Sequence, residues 1–180
     1  MRLLNSFDIE QLCRRHDIKM NHIYCRDEIP QHLHDGWYIL NLDRASGAGT
    51  HWCTFMVNNG NNNNLYFDSF GFPPPNELEH LLKTYTYNTK KIQDLNSDSC
   101  GWFCLMAIKY CEDRGNGQRP FNQFLSLFSD KSTINEKILE NFSEMMFSLQ
   151  YVLIQHQLQF RQNIQQKSIR RCSVVSYSRM

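Results

Sequence analysis

The reading of the fold turns on Thr50-His51-Trp52-Cys53-Thr54-Phe55-Met56-Val57-Asn58-Asn59-Gly60-Asn61-Asn62-Asn63-Asn64-Leu65-Tyr66-Phe67-Asp68-Ser69-Phe70. Thr50 to Val57 and Leu65 to Phe70 carry the β-branched and aromatic residues of strands. The Asn-Gly dipeptide between them is a strong hairpin signal, because a type I′ turn needs positive φ at both central residues. With Asn59-Gly60 at the turn, Asn58 faces Asn61 and His51 comes directly opposite Asp68. Opposed residues share a face with Cβ atoms about 4.5–5.5 Å apart, so a carboxylate there reaches an imidazole. The stretch predicts a hairpin with a polar pair near its open end.

Working outward, Trp37 to Leu42 reads as another strand, joined through Gly47-Ala48-Gly49. Ahead of it, Ser6 caps a predicted helix to Arg15 with Phe7, Ile9 and Leu12 as apolar positions, and a loop with Pro30 and Gly36 follows. Downstream, Gly71-Phe72-Pro73-Pro74-Pro75 stops the chain, and Asn76 to Thr84 reads as a helix turning Leu78, Leu81 and Leu82 inward. Cys100 to about Glu112 is apolar nearly all round, the mark of a buried central helix, with Asp98 and Ser99 as its caps. Thr133-Ile134-Asn135-Glu136 matches a capping box. It opens a long amphipathic helix carrying Ile134, Ile138, Phe142, Met145, Leu149, Val152 and Phe160.

The 180 residues, 41% hydrophobic and 21% charged, fit one domain, expected over 1–154, with a Gln-rich, basic tail over 155–180. The longest strongly apolar stretch, Trp102 to Ile108, is far shorter than the ~20 residues a bilayer span needs. Met1-Arg2-Leu3-Leu4 leads into polar residues without a signal-peptide core, so the expectation is an intracellular or particle-enclosed protein with no membrane partner. The net charge is +1, yet the tail holds Arg161, Lys167, Arg170, Arg171 and Arg179 and no acid, which leaves the rest at −4. Arg161, Lys167, Arg170 and Arg171 are the expected DNA-binding residues, since a basic tail takes an anionic partner through phosphate contacts. Seven cysteines without a secretory signal argue against a disulfide framework and leave at least one thiol free.

His51, Asp68 and Cys100 are the set that thiol catalysis requires. Cys100 stands at a predicted helix N-terminus, where the dipole and a neighbouring imidazolium both stabilise a thiolate. His51 then pairs with the thiolate and protonates a leaving amine, and Asp68 orients the ring. Oxyanion donors are available from the Cys100 backbone N–H and the Gln93 amide seven residues earlier. Gly101 lets a substrate backbone approach closely. Cys53, Cys104 and Cys111 are read as packing residues. Cys13, His16, His22, Cys25, His32 and His34 crowd the first 34 residues, but their spacing fits no standard zinc module, so no metal site is expected.

His51-Trp52, Tyr66-Phe67-Asp68-Ser69-Phe70-Gly71-Phe72, Gln93 and Cys100-Gly101 with its apolar helix resemble the adenain family, maturation proteases of adenoviruses and relatives in large DNA viruses and virus-like elements. The match runs from about Ser6 to Asp113, and the SUMO-specific proteases are wider relatives. The resemblance implies a compact α+β cysteine-protease fold, with a central antiparallel or mixed sheet and the nucleophile at the N-terminus of a buried helix. It implies His51, Asp68 and Cys100 as the triad, Gln93 in the oxyanion hole, and Trp52 and Gly101 at the substrate. The implied activity is a monomeric endopeptidase cleaving viral precursor polypeptides during particle maturation, in the virion and host nucleus. No cofactor is needed for the chemistry, and activation by DNA or a peptide is part of the expectation. One departure is visible: no cysteine stands between Cys53 and Cys100, where the adenovirus enzyme carries its peptide-bonding thiol. The alternatives are removal of SUMO or ubiquitin-like modifiers by the same residues, and an inactive binding module on the same fold.

Overall fold

In a computed structural model, which describes residues 1–60 and 63–146, the strands flanking the Asn-rich turn lie inside a five-stranded sheet. The strands are β1 (Met20–Cys25), β2 (Gly36–Asn41), β3 (Trp52–Val57), β4 (Asn64–Phe67) and β5 (Tyr85–Tyr87), adjacent in that order. β2, β3 and β4 pair antiparallel, and β1 and β5 add in parallel at the two edges. The helices among the described residues are α1 (Ser6–Arg15), α2 (Asn76–Leu82), α3 (Cys100–Glu112), α4 (Gln118–Leu125) and α5 (132–146). The class is α+β with a mixed sheet.

Every residue of β3 and β4 is buried, so the core strands have no solvent face. Tyr38, Leu40, Cys53, Phe55, Val57 and Tyr66 of the sheet pack with Leu78 and Leu82 of α2. α3 packs against β3 and α4 against α3. Phe103, Cys104, Ala107, Ile108 and Cys111 are fully enclosed, which is why α3 shows no polar face.

The hairpin register differs from the expected one. Thr54 pairs with Phe67 and Met56 with Leu65, a displacement of two positions along β4. Continued outward, this register sets Cys53 opposite Asp68 and His51 opposite Phe70. A displacement of two leaves every side chain on its own face, because side chains alternate with period two. His51 therefore still shares a face with Asp68, as a diagonal neighbour rather than an opposed one.

β1, β5 and α4 are not foreseen from sequence. β1 is an edge strand, Met-Asn-His-Ile-Tyr-Cys, whose half-exposed residues follow no alternation, and β5 has three residues. α4 buries Pro120, Phe121 and Phe124 from only eight residues. Helix ends are corrected as well. Asn5, not Ser6, caps α1 and forms a reciprocal box with Asp8, and Phe7 points to solvent because Ile9, Leu12 and Cys13 make the buried stripe. α2 stops at Leu82, where Lys83 takes φ +56°. Ser99 precedes α3 without a side-chain cap bond. α5 starts at 132, Ile134 is exposed, and Asn135 and Leu139 face inward.

The chain divides into two units after Phe142, the first being Met1–Phe142. The residues discussed below belong to the first. Arg161, Lys167, Arg170, Arg171 and Cys172, and the helical stripe at Leu149, Val152 and Phe160, lie outside the described residues. No helix among the described residues is long and apolar enough to cross a membrane.

Candidate active site

β3 and β4 end one residue short of His51 and Asp68, so both side chains stand at the rim of the sheet. His51 Nε2 donates to Asp68 Oδ1 at 3.0 Å. The same oxygen accepts the Phe70 backbone N–H at 2.7 Å, and Oδ2 accepts the Cys53 thiol at 3.4 Å. His51, Cys53 and Asp68 thus converge, their donor atoms within 4.8 Å of one another. Asp68 is fully buried, and the Phe70 ring stacks on His51 at 4.8 Å between centroids.

Asn88, just past β5, fixes the backbone of Asp68. Its side-chain oxygen accepts the Asp68 N–H at 3.1 Å, and its amide N–H donates to the Asp68 carbonyl at 2.6 Å. The chain then turns at Gly71, where φ is +79° and a Cβ would lie 2.8 Å from the Lys90 carbonyl carbon. Only glycine fits there without displacing backbone. That approach brings Ser69 beside the next segment, and its carbonyl accepts the N–H groups of Ile92 and Gln93 at 2.8 and 2.9 Å.

Gln93 is buried and held at both ends. Its Oε1 accepts the Ser69 hydroxyl at 2.6 Å, and its Nε2 donates to the Ser97 carbonyl at 2.7 Å. Cys100 follows as the first residue of α3, and its thiol is close enough to His51 to contribute to that ring's raised pKa. With Nε2 on Asp68, the ring's other nitrogen is the one left for the thiol. Burial alone would lower the His51 pKa, but the hydrogen bonds and charges of Asp68 and Cys100 outweigh it and raise it to about 9.

The other thiols contrast with this. Burial, reinforced by Glu112 and Glu10, pushes Cys13 up to about 12, and burial pushes Cys111 up to about 12 as well. Cys53 and Cys104 are driven well above the ordinary thiol value, again by burial first. Such thiols stay protonated at neutral pH and are poor nucleophiles. The six cysteines among the described residues are all unbridged.

A group whose pKa rises on folding adds stability below its unfolded value and loses it as pH climbs through the folded one. For His51 the window runs from the usual 6.5 to about 9. Stability is therefore expected to fall on the order of 2 kcal/mol from pH 6.5 to 9.5. Urea unfolding at a series of pH values measures it, and His51→Gln should flatten the slope over that window.

Of the remaining expected site residues, Trp52 is buried with its indole N–H on the Leu4 carbonyl at 2.8 Å. Gly101 is buried too, and a Cβ there would sit 3.3 Å from Leu4 and from Trp52. Its missing side chain thus makes room for Leu4. Beside Trp52 opens a cavity of about 550 Å³, whose lining includes Leu4, Arg44, Thr50 and Asp98. Cys13, His16, His22, Cys25, His32 and His34 do not converge on one point.

Sequence reasoning read Cys53 as a packing residue, which its burial bears out, but gave no role to its bond with Asp68, to Ser69 or to Asn88. The first two carried a signal: Cys53 shares His51's face by alternation, and Ser69 is Asp68's neighbour. Asn88 had none, because its role depends on the parallel pairing of β5.

No family model matches the chain, and no curated protein matches it. Among solved structures it is similar to the ASFV pS273R protease, at 21% identity and a TM-score of 0.39, over 52% of this chain. The match covers 39% of that protein, so the chain spans well under half of its length. The chemistry open to this site follows from its own geometry: an imidazole hydrogen-bonded to a buried carboxylate, with a thiol at a helix start beside it.

Proposed function

We propose that this protein is a cysteine endopeptidase with Cys100 as nucleophile, His51 as acid and base, Asp68 as orienting carboxylate and Gln93 as oxyanion donor. The observation that carries the reading is the His51 ring, hydrogen-bonded to the buried Asp68 at 3.0 Å, with the Cys100 thiol beside it at the start of α3. An imidazolium beside a thiol at a helix N-terminus favours the thiolate.

The Cys100 thiolate attacks the scissile carbonyl carbon, and a C–S bond forms as the carbonyl electrons move to oxygen. That oxyanion accepts from the Cys100 backbone N–H and from the second amide N–H of Gln93. Ser99 makes no side-chain cap bond to α3, so its hydroxyl does not compete for the helix's first N–H groups. The tetrahedral adduct collapses, the C–N bond breaks, and His51 gives its proton to the departing amine. Water then attacks the thioester while His51 takes a proton from it, and release of the acid restores the thiolate and imidazolium.

The cavity beside Trp52 is the proposed substrate cleft. The substrate class we assign is precursor polypeptides processed during particle maturation, as the resemblance implies. Release of ubiquitin-like modifiers uses the same residues and is the other outcome of a substrate search.

The test is the alkylation rate of each cysteine by iodoacetamide against pH, read by peptide mass spectrometry on native protein. Cys100 should react fastest, and His51→Ala should slow it about tenfold or more near neutrality. A Cys100 that reacts no faster than the enclosed thiols, or that ignores His51→Ala, refutes the reading.

A further inference from the structure

We propose that Glu136 is a positioning residue for the oxyanion side of this site, acting through the loop that joins Gln93 to Cys100. The inference rests on the proteolytic reading and assigns work to α5, which lies beyond the segment that resembles a known family. The loop from Asp94 to Ser99 is irregular, and Leu95, Asn96 and Asp98 are exposed. Such a segment has little packing of its own to set its shape.

One carboxylate supplies what packing does not. Glu136 Oε1 accepts the Ser97 hydroxyl at 2.7 Å, the Ser99 hydroxyl at 3.0 Å and the Asp94 backbone N–H at 3.1 Å. Its Oε2 lies 2.8 Å from the Ser99 hydroxyl. These bonds reach the beginning and the end of the loop from a single side chain. Bonds to an ionised acceptor are roughly twice as strong as neutral ones.

The same helix face adds two further anchors. Ser132 donates to Asp94 Oδ2 at 2.8 Å, and the enclosed Asn135 donates to the Ile92 carbonyl at 3.0 Å. Positions 132, 135 and 136 are the i, i+3 and i+4 places of one helical face. α5 therefore holds the segment at Ile92, Asp94, Ser97 and Ser99. This also explains two departures from sequence expectation: Glu136 does not close a capping box, and Ser99 does not cap α3, because each is bonded to the other.

The consequence for chemistry is geometric. Gln93 Nε2 donates to the carbonyl of Ser97, so the residue that Glu136 holds is the one that aims the Gln93 amide. Ser99 is the residue before the nucleophile, so the same carboxylate sets where the Cys100 N–H points. Stabilising an oxyanion depends on such donors being in place beforehand.

The experiment separates nucleophile from oxyanion hole. Alkylation of Cys100 by iodoacetamide develops no oxyanion, whereas acylation by p-nitrophenyl acetate does. In Glu136→Ala the alkylation rate is expected to stay within about twofold of wild type, while acylation falls about tenfold or more. Glu136→Gln keeps an acceptor oxygen and should recover most of the loss. Adding Gln93→Ala to Glu136→Ala should cost less than the product of the two single losses, the non-additivity of residues that share a donor. Hydrogen exchange of the 94–99 amides should speed up in Glu136→Ala.

Acylation within twofold of wild type in a folded Glu136→Ala variant would overturn the proposal, as would equal losses in both rates with a lowered Tm. His51→Ala run alongside keeps the two readings distinguishable. If wild-type alkylation ignores His51, the proteolytic reading fails, and the exchange measurement, which needs no activity, decides by itself whether Glu136 holds the loop.

Discussion

Cys100→Ala is expected to abolish peptide cleavage and acyl transfer, by on the order of 10⁵-fold or more, with the fold intact. The scale is that of removing a nucleophile from a set of residues that works as a unit, where one loss costs nearly as much as losing all. No other thiol among the described residues can replace it. Cys104 is one helical turn further along α3, but it is enclosed, and its pKa is driven well above the ordinary value by burial, with nearby Cys100 adding to the effect. Cys53 is two residues from His51, yet it is buried and donates to Asp68. The measurement is turnover of p-nitrophenyl acetate and of candidate precursor proteins, with circular dichroism as the control for folding. Wild-type-like turnover would remove Cys100 from the mechanism.

Gln93→Ala carries the second-largest expected effect, about 10²- to 10³-fold in kcat with KM little changed, the cost of one oxyanion donor. The side chain is poised for that role by its two bonds, Oε1 to the Ser69 hydroxyl and Nε2 to the Ser97 carbonyl. Together they define which end of the amide carries the donors. Gln93→Glu is the informative companion: it keeps the shape but loses the amide N–H groups, so it should lose as much as alanine. A loss confined to KM, or none, would show that Gln93 is a buried structural link between Ser69 and Ser97 and that the oxyanion is held otherwise.

The two sides of the site were legible to different degrees. His51 and Asp68 could be paired from sequence despite a wrong register, because a slip of two leaves alternation intact. The same slip hid Cys53, whose place opposite Asp68 depends on the register itself. Cys100 was legible because an apolar run beginning after a polar loop marks the start of a buried helix. Gln93 was legible only as a residue type at a suggestive distance, since what orients it comes from Ser69 and Ser97. Asn88 left no trace in local pattern, and Glu136 showed there only as a capping-box residue: each acts across a contact between segments 20 and 37 to 42 residues apart.

By itself the sequence determined the central strands, the enclosed helix α3 and the chemical types gathered around them, because these depend on short-range periodicity and on the burial that apolar residues demand. The tertiary structure alone decided the hairpin register, the parallel edge strands β1 and β5, the approach of Gly71 to Lys90, and the grip of α5 on the loop before Cys100. The physical reason is range. Alternation and helical spacing are written over a few neighbouring residues, whereas a polar side chain finds its partner only when packing has already brought two distant segments within about 3 Å.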